Sequence, residues 1–434
     1  MNTLTTLVLI GSFFVLVFTG VPIAFSLGIA AIAAGCMILP PEIILTIVSQ
    51  RLVSGLDNFA LLAIPFFVLA GVLMNHGGIA ARLIRLALVI VGRTPGSLGH
   101  VNIVANMLFG AISGSASAAA AAVGGVMAPM QEKAGFPKEY SAAVNISSCV
   151  TGLLIPPSNV MIIYAVTAGN LSIAALFAAG YVPGILLGLS LIVTGLIISI
   201  RRGYGSGERA TLAQVWRALV EAVPSLLLII IIIGGIIGGV FTATEASAIA
   251  VLYALFLSVI VYRTIPLRRL PAVFLEATTT TAVVLLLVAM SIGMSWVMTR
   301  ADIPQTITAG LLSISHDPIV LLLIINAILI VVGIFMDMTP AILIFTPIFL
   351  PVANSIGMDP LHFGIMMIFN LCIGLCTPPV GVALFVGCSV AGVRVQNVVM
   401  PLMPFFLAML VSLALVTAVP DLSLAVPRSL GLYQ

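Results

Sequence analysis

Two proline pairs, one aspartate and a few small hydroxyl side chains are the residues of this 434-residue chain that could do chemistry. The segments Leu154-Ile-Pro-Pro-Ser-Asn159 and Cys376-Thr-Pro-Pro-Val-Gly381 place adjacent prolines inside the apolar stretches 140–170 and 361–393. Proline removes a backbone donor and clashes with the preceding turn. Two in a row, flanked by Gly152 and Gly381, should unwind a helix rather than kink it. Unwound backbone in hydrocarbon is costly unless it lines a cavity or binds something. Its freed carbonyls, with Ser158, Asn159 and Thr377 beside them, are hard ligands for a small cation. Half-helix N-termini carry partial positive charge and suit an anion. One such site can hold Na⁺ and a carboxylate together.

Asp337 is the sharpest single residue. It lies at the middle of the apolar stretch 318–352, within Gly333-Ile-Phe-Met-Asp-Met-Thr-Pro340. A carboxylate there is a functional-site hypothesis by default; the alternative is a helix cap that accepts from a backbone amide. Ser113, Ser115 and Ser117 sit in the middle of the stretch 98–130. They are either site oxygens or small residues that let helices approach closely. Glu245 and Glu276 read as helix-start or interface residues. No histidine within an apolar stretch stands ready as a base for a serine nucleophile, and no His-Glu-x-x-His pattern is present. The chain is therefore read as no enzyme, with no metal beyond Na⁺ and no other cofactor.

The elements that must position these residues are membrane helices. Of the chain, 62% is hydrophobic and 7% charged, against about 25% charged in soluble domains. Long continuous apolar stretches exclude a barrel, and a net charge of +3 gives no reason to expect nucleic acid. About ten spans of some 20 residues are expected, at 3–19, 22–39, 57–75, 140–170, 183–200, 223–241, 244–262, 276–299, 361–393 and 397–419. The stretches 98–130 and 318–352 are too long for one span and too short for two, and fit re-entrant hairpins with polar tips. Amphipathic pieces at 42–55, 79–93, 209–221, 265–274 and 303–314 should lie along the interface. The five cysteines read as small core residues, and no cleavable signal peptide is evident.

Basic clusters at Arg82/Arg85/Arg93, Arg201/Arg202/Arg209/Arg217 and Arg263/Arg268/Arg269 mark the cytoplasmic side, which puts both termini on the other. A shift of 222 residues lays Pro156-Pro157 on Pro378-Pro379, Gly152 on Gly374, Pro129 on Pro351, Gly135 on Gly357 and Ser115 on Asp337. The arginines of 79–93 have no counterpart in 301–315, so matching segments should face opposite sides of the membrane. That is an inverted repeat, common among secondary transporters. A pore lined by broken helices is the competing class.

Several segments together resemble the large membrane subunit of TRAP (tripartite ATP-independent periplasmic) transporters. They are Ala63-Ile-Pro-Phe-Phe-Val-Leu-Ala-Gly-Val-Leu-Met74, Ile155-Pro-Pro-Ser158, Gly333-x-Phe-x-Asp-x-Thr-Pro340, Thr377-Pro-Pro-Val-Gly381 and Pro420-Asp-Leu-Ser-Leu. The resemblance implies an all-α polytopic membrane protein of the bacterial inner membrane: an inverted-repeat, elevator-type transporter with two re-entrant hairpins and interfacial arm helices. It implies a scaffold of 1–75 and 223–300, and transport regions of 76–182 and 301–396, each led by an arm helix. The stretch 183–222 would connect the halves and 397–434 would form the last span and tail. Carried over residue by residue, it places Na⁺ at Ser113, Ser115, Ser117, Pro156, Asp337, Thr339, Thr377 and Pro378. The substrate would lie between, near Pro157, Ser158, Asn159, Pro379 and Gly381. It further implies a small organic acid as substrate, a periplasmic substrate-binding protein and a separate four-helix membrane subunit. The rival within the same superfamily is a stand-alone Na⁺/carboxylate symporter.

Overall fold

The computed structural model describes residues 2–92, 94–169, 171–205 and 211–433, and among these the chain is helical with no strand. Arg93 and Arg209, counted above in the basic clusters, lie outside the described residues. Among the described residues, eight helices are long and apolar enough to cross a bilayer, and nine if the bent pair Lys138–Leu154 and Asn159–Thr167 counts as one span. The first two apolar helices, Asn2–Phe18 and Ile23–Gly35, are shorter, at 17 and 13 residues. Two of the eight are Pro318–Phe335 and Met338–Ser355, the arms of the expected second hairpin, so six of the ten expected spans reach that length and the bent pair makes a seventh.

Secondary structure repeats at the spacing of 222 along the chain. Ala116–Lys133 and Met338–Ser355 have the same 18-residue length and the same offset at both ends. Ser97–Ser113 corresponds to Pro318–Phe335, Asn159–Thr167 to Val382–Ala391, and Ile173–Arg202 to Val395–Ala418. The arm helices Ile79–Val91 and Ile303–Ile314 correspond as well. Both are strongly amphipathic, as interfacial helices must be.

Within each half, small residues bring the hairpin against the broken helix. Gly110 and Gly152 pack backbone on backbone in the first half, and Gly333 and Gly374 do so in the second. A Cβ on Gly152 would come within 2.1 Å of the Gly110 Cα, and one on Gly374 within 2.5 Å of the Gly333 Cα. Each hairpin is held this closely to the broken helix that follows it. Between halves, the Cys372 Sγ–H donates to the Val150 carbonyl at 3.6 Å. Residues 150 and 372 are repeat partners, so their contact fits a two-fold axis running between the halves.

Some expected boundaries shift. The pieces 265–274 and 276–299 form one 31-residue helix, Leu270–Arg300, about 46 Å long at 1.5 Å per residue. Likewise 209–221 runs into the next span as Leu212–Ile237, started by a Thr211/Gln214 capping box. Glu221 and Glu276 stand at the two junctions without ending the helix, and Pro224 is carried inside Leu212–Ile237. In the first half the matching stretch is interrupted at Asp57-Asn58, between Pro41–Leu56 and the short turn Phe59–Leu62. Of the five free cysteines, Cys149, Cys372, Cys376 and Cys388 are buried as expected, whereas Cys36 is exposed.

Candidate functional site

Both proline pairs interrupt their helices. In the first, Ile155 and Ser158 are extended on either side of Pro156-Pro157. In the second, Thr377 is extended and the helix resumes at Val382. Both Pro-Pro bonds are cis. The flanking helices of the first break are bent by 49°.

The hairpin tips are two residues long in each half. In the first, Ser97–Ser113 ends at Gly114, which takes the left-handed conformation at φ 60°. Ser115 then caps Ala116–Lys133: its Oγ accepts the Ala118 N–H at 3.3 Å and lies 3.1 Å from the Ser117 Oγ. In the second, Met336 is extended and Asp337 occupies the N-cap of Met338–Ser355. The Asp337 side chain makes no capping hydrogen bond, and it is exposed to the space beside it. The carboxylate thus stands at the helix start beside the Met338 amide and lines the space next to it.

That space is a cavity of about 540 Å³ lined by both tips, within the size range of small-molecule sites. Six of the thirteen site residues named from the sequence line it: Ser113, Ser115, Ser117, Asn159, Asp337 and Thr339. Asn159 begins the helix after the first break and lies against Gly114, and its Oδ1 has no hydrogen-bond partner among the described residues.

Pro156, Pro157, Ser158, Thr377, Pro378, Pro379 and Gly381 do not line the cavity. Their neighbours Leu153, Val160, Leu375, Val382 and Ala383 do, so the breaks shape its walls rather than its surface. Ser158 is buried with an unpartnered Oγ, and Thr377 Oγ1–H donates to the Ile373 carbonyl at 2.7 Å.

Two polar wall residues, Asn75 and Thr280, were not singled out from the sequence, and a third, Glu276, was given another role there. Glu276, read there as an interface residue, pairs with His76 at 2.9 Å, both half in solvent, at the end of the cavity nearest Arg268 and Arg269. The available signal was the run Thr278-Thr-Thr-Thr281 within an otherwise apolar span. Glu245 is the helix-start residue it was read as, closing a capping box with Thr242.

A helical membrane protein with a repeated hairpin and broken helix, and a polar cavity between the tips, has the architecture of a secondary transporter. The YdaH transporter of Alcanivorax borkumensis shares the fold, with a TM-score of 0.62 at 14% identity over 89% of each chain. MtrF of Neisseria gonorrhoeae is similar, with a TM-score of 0.57 at 13% identity over 86% of this chain and 83% of its own.

Sequence gives the family. Residues 10–422 match the DctM component of the tripartite ATP-independent periplasmic transporters, and the chain belongs to that family. It is a multi-pass protein of the bacterial inner membrane. Relatives include the YgiK protein of Salmonella typhimurium, 55% identical over 97% of each chain. The sialic acid large permease protein SiaM of Vibrio cholerae is 41% identical, over 95% of this chain and 96% of its own. The C4-dicarboxylate large permease protein DctM of Rhodobacter capsulatus is 37% identical, over 99% and 100%.

Proposed function

We propose that this chain is the Na⁺-coupled subunit through which a small organic carboxylate enters the cell. A periplasmic binding protein hands the substrate over, and a separate small membrane subunit stands alongside. The observation that carries this reading is Asp337, an uncapped carboxylate facing the same cavity as Ser115, Ser117, Asn159 and Thr339. A charge at that depth is retained only where something compensates it. Carboxylate, hydroxyl and amide oxygens are the ligands hard cations take, and Asp337, Ser115, Ser117, Thr339 and Asn159 bring them to one cavity.

The cation in turn offsets the charge of an acid substrate beside it. The relatives named for sialic acid and C4-dicarboxylate support an acid as the substrate. Segments 1–75 and 223–300 form the fixed frame, and the hairpins with their broken helices slide against it.

The test is uptake by proteoliposomes holding this chain and its small subunit, with binding protein outside and radiolabelled N-acetylneuraminate or succinate as probe. Uptake of either is expected only with an inward Na⁺ gradient and the binding protein present. Uptake without the binding protein would turn the reading to a stand-alone symporter. Uptake indifferent to Na⁺ would remove the coupling.

A further inference from the structure

A second, smaller crevice of about 310 Å³ lies on the far side of the cavity from the His76–Glu276 pair. Three helices run from one space to the other within a single turn. Val284 lines the cavity and Val288 the crevice; Thr339 lines the cavity and Leu343 the crevice; Ile163 lines the cavity and Thr167 the crevice. Four residues of helix rise about 6 Å, so the two spaces are separated by a plug about one turn thick. They lie one above the other along the same three helices.

The crevice differs from the cavity in charge. The cavity carries Asp337 and Glu276, whereas the charged residue of the crevice is Arg51. Arg51 is fixed from both sides along its helix: Val48 packs on Gly293, and Gly55 packs on Ile292, with a Cβ on Gly55 coming within 2.5 Å of Ile292. Residues 48, 51 and 55 share a helix face, so the face that bears Arg51 is fixed against Leu270–Arg300, and Arg51 lines the crevice. No hydrogen bond or ion pair to that guanidinium is found among the described residues. Opposite it, Ser291, Ser295 and Thr299 form a hydroxyl row on one face of Leu270–Arg300. Ser291 and Thr299 donate to their own helix, and the Ser295 hydroxyl has no such bond.

We propose that this crevice is the outer vestibule of the transport path and that Arg51, with Ser295, is its anion-receiving station, which holds a carboxylate before it passes to the cation site. The proposal rests on the transport reading above. A guanidinium is the donor best shaped for a carboxylate, and a cationic wall in a narrow cleft raises the local concentration of anions by 10-fold or more.

The probes are a pair of thiol reagents, anionic ethylsulfonate and cationic trimethylammonium methanethiosulfonates. They are applied to Ser295→Cys in a Cys36→Ser background, in maltoside micelles and in phospholipid vesicles. The anionic reagent is expected to react faster from outside. Arg51→Gln should lower the anionic-to-cationic rate ratio about tenfold, while Arg51→Lys keeps most of it. A ratio unmoved by Arg51→Gln overturns the station. A ratio that depends on Arg51 only in phospholipid, and not in micelles, overturns it too, since the guanidinium would then be answering lipid phosphate. In the uptake assay, Arg51→Gln should raise KM about tenfold with kcat held. Should the wild type import neither probe acid, the transport reading fails while the reagent ratio still decides the vestibule.

Discussion

The two hairpin tips are built on the same backbone plan and do opposite things with it. At the first, Ser115 spends its hydroxyl on the helix it begins, accepting from Ala118. At the second, Asp337 stands at the matching position and leaves its carboxylate to the cavity. The breaks divide in the same way. Pro156, Pro157 and Ser158 are buried, under Ile173–Arg202, whose Gly180 and Gly184 receive Leu154 and Ile155. Pro379, Val380 and Val382 are exposed. A duplicated fold has been kept while its halves diverged in chemistry: the first is the more deeply packed wall, and the second brings the free charge.

The largest expected difference is one of packing. Gly152→Ala drives a methyl into the Gly110 backbone, which has little freedom to retreat, whereas Gly374→Ala meets Gly333 at a somewhat greater distance. Overpacking costs about 1–3 kcal/mol and occasionally more. Gly152→Ala is expected at or above the top of that range and Gly374→Ala in its middle, read as loss of thermal stability in detergent. Equal losses would mean that the two halves are packed alike.

Next comes Asp337→Asn. The amide keeps the shape and removes the charge, so stability should hold while Na⁺ stimulation of uptake falls about 100-fold, equivalent to about 2.7 kcal/mol. Undiminished Na⁺ dependence would assign the cation to other oxygens and make the tips alike in function as well as in plan.

Much of this was legible before any coordinates, because the features are ones a chain cannot hide. Adjacent prolines must break a helix wherever they stand, and both breaks fall where they were placed. Asp337 stood out because charge is rare in an apolar stretch. The second hairpin arm starts at Met338 and the first at Ala116, which keeps the offset read from glycine and proline alone. What stayed hidden depends on the tertiary fold. Ser158 and Thr377 flank their breaks in sequence but face away from the cavity, since side-chain direction beyond a break is set by packing and not by spacing. Glu276 and Thr280 belong to a span that reads as ordinary, and only the packing of Leu270–Arg300 turns that face inward. Helix ends were missed at 274 and 222 because the glutamate at each junction, Glu276 and Glu221, reads as the edge of a span and yet leaves the helix running.

A smaller contrast lies in the buried amides that tie each hairpin to the helix behind it. The Asn106 Nδ2 amide has Asn102 Oδ1, Asn145 Oδ1 and Ser148 Oγ within 2.8–3.0 Å. The Asn370 Nδ2 amide serves only the Asn326 carbonyl and Oδ1, at 3.0 and 2.7 Å. A buried polar group left without its partner costs about 1–3 kcal/mol. Asn106→Leu strands more acceptors, so it should cost about 2 kcal/mol against about 1 for Asn370→Leu in the same melting experiment. A larger loss at Asn370 would reverse the assignment of the first half as the more tightly tied.

Ser115→Ala tests the comparison at its finest point. If Ser115 is chiefly a cap, the substitution removes one acceptor for the Ala118 amide and costs about 1 kcal/mol of stability, with Na⁺ affinity changing only a few-fold. Ser115→Asp makes the first tip chemically like the second. It keeps the cap, since aspartate caps as well as serine, but puts a second carboxylate in the cavity that Asp337 lines. Two like charges facing one cavity oppose each other, so this variant should melt close to wild type yet transport poorly at low Na⁺ and recover as Na⁺ is raised. Loss of Na⁺ affinity in Ser115→Ala as deep as in Asp337→Asn would show instead that both tips grip the ion equally, and that the capping hydrogen bond at the first is incidental to its role.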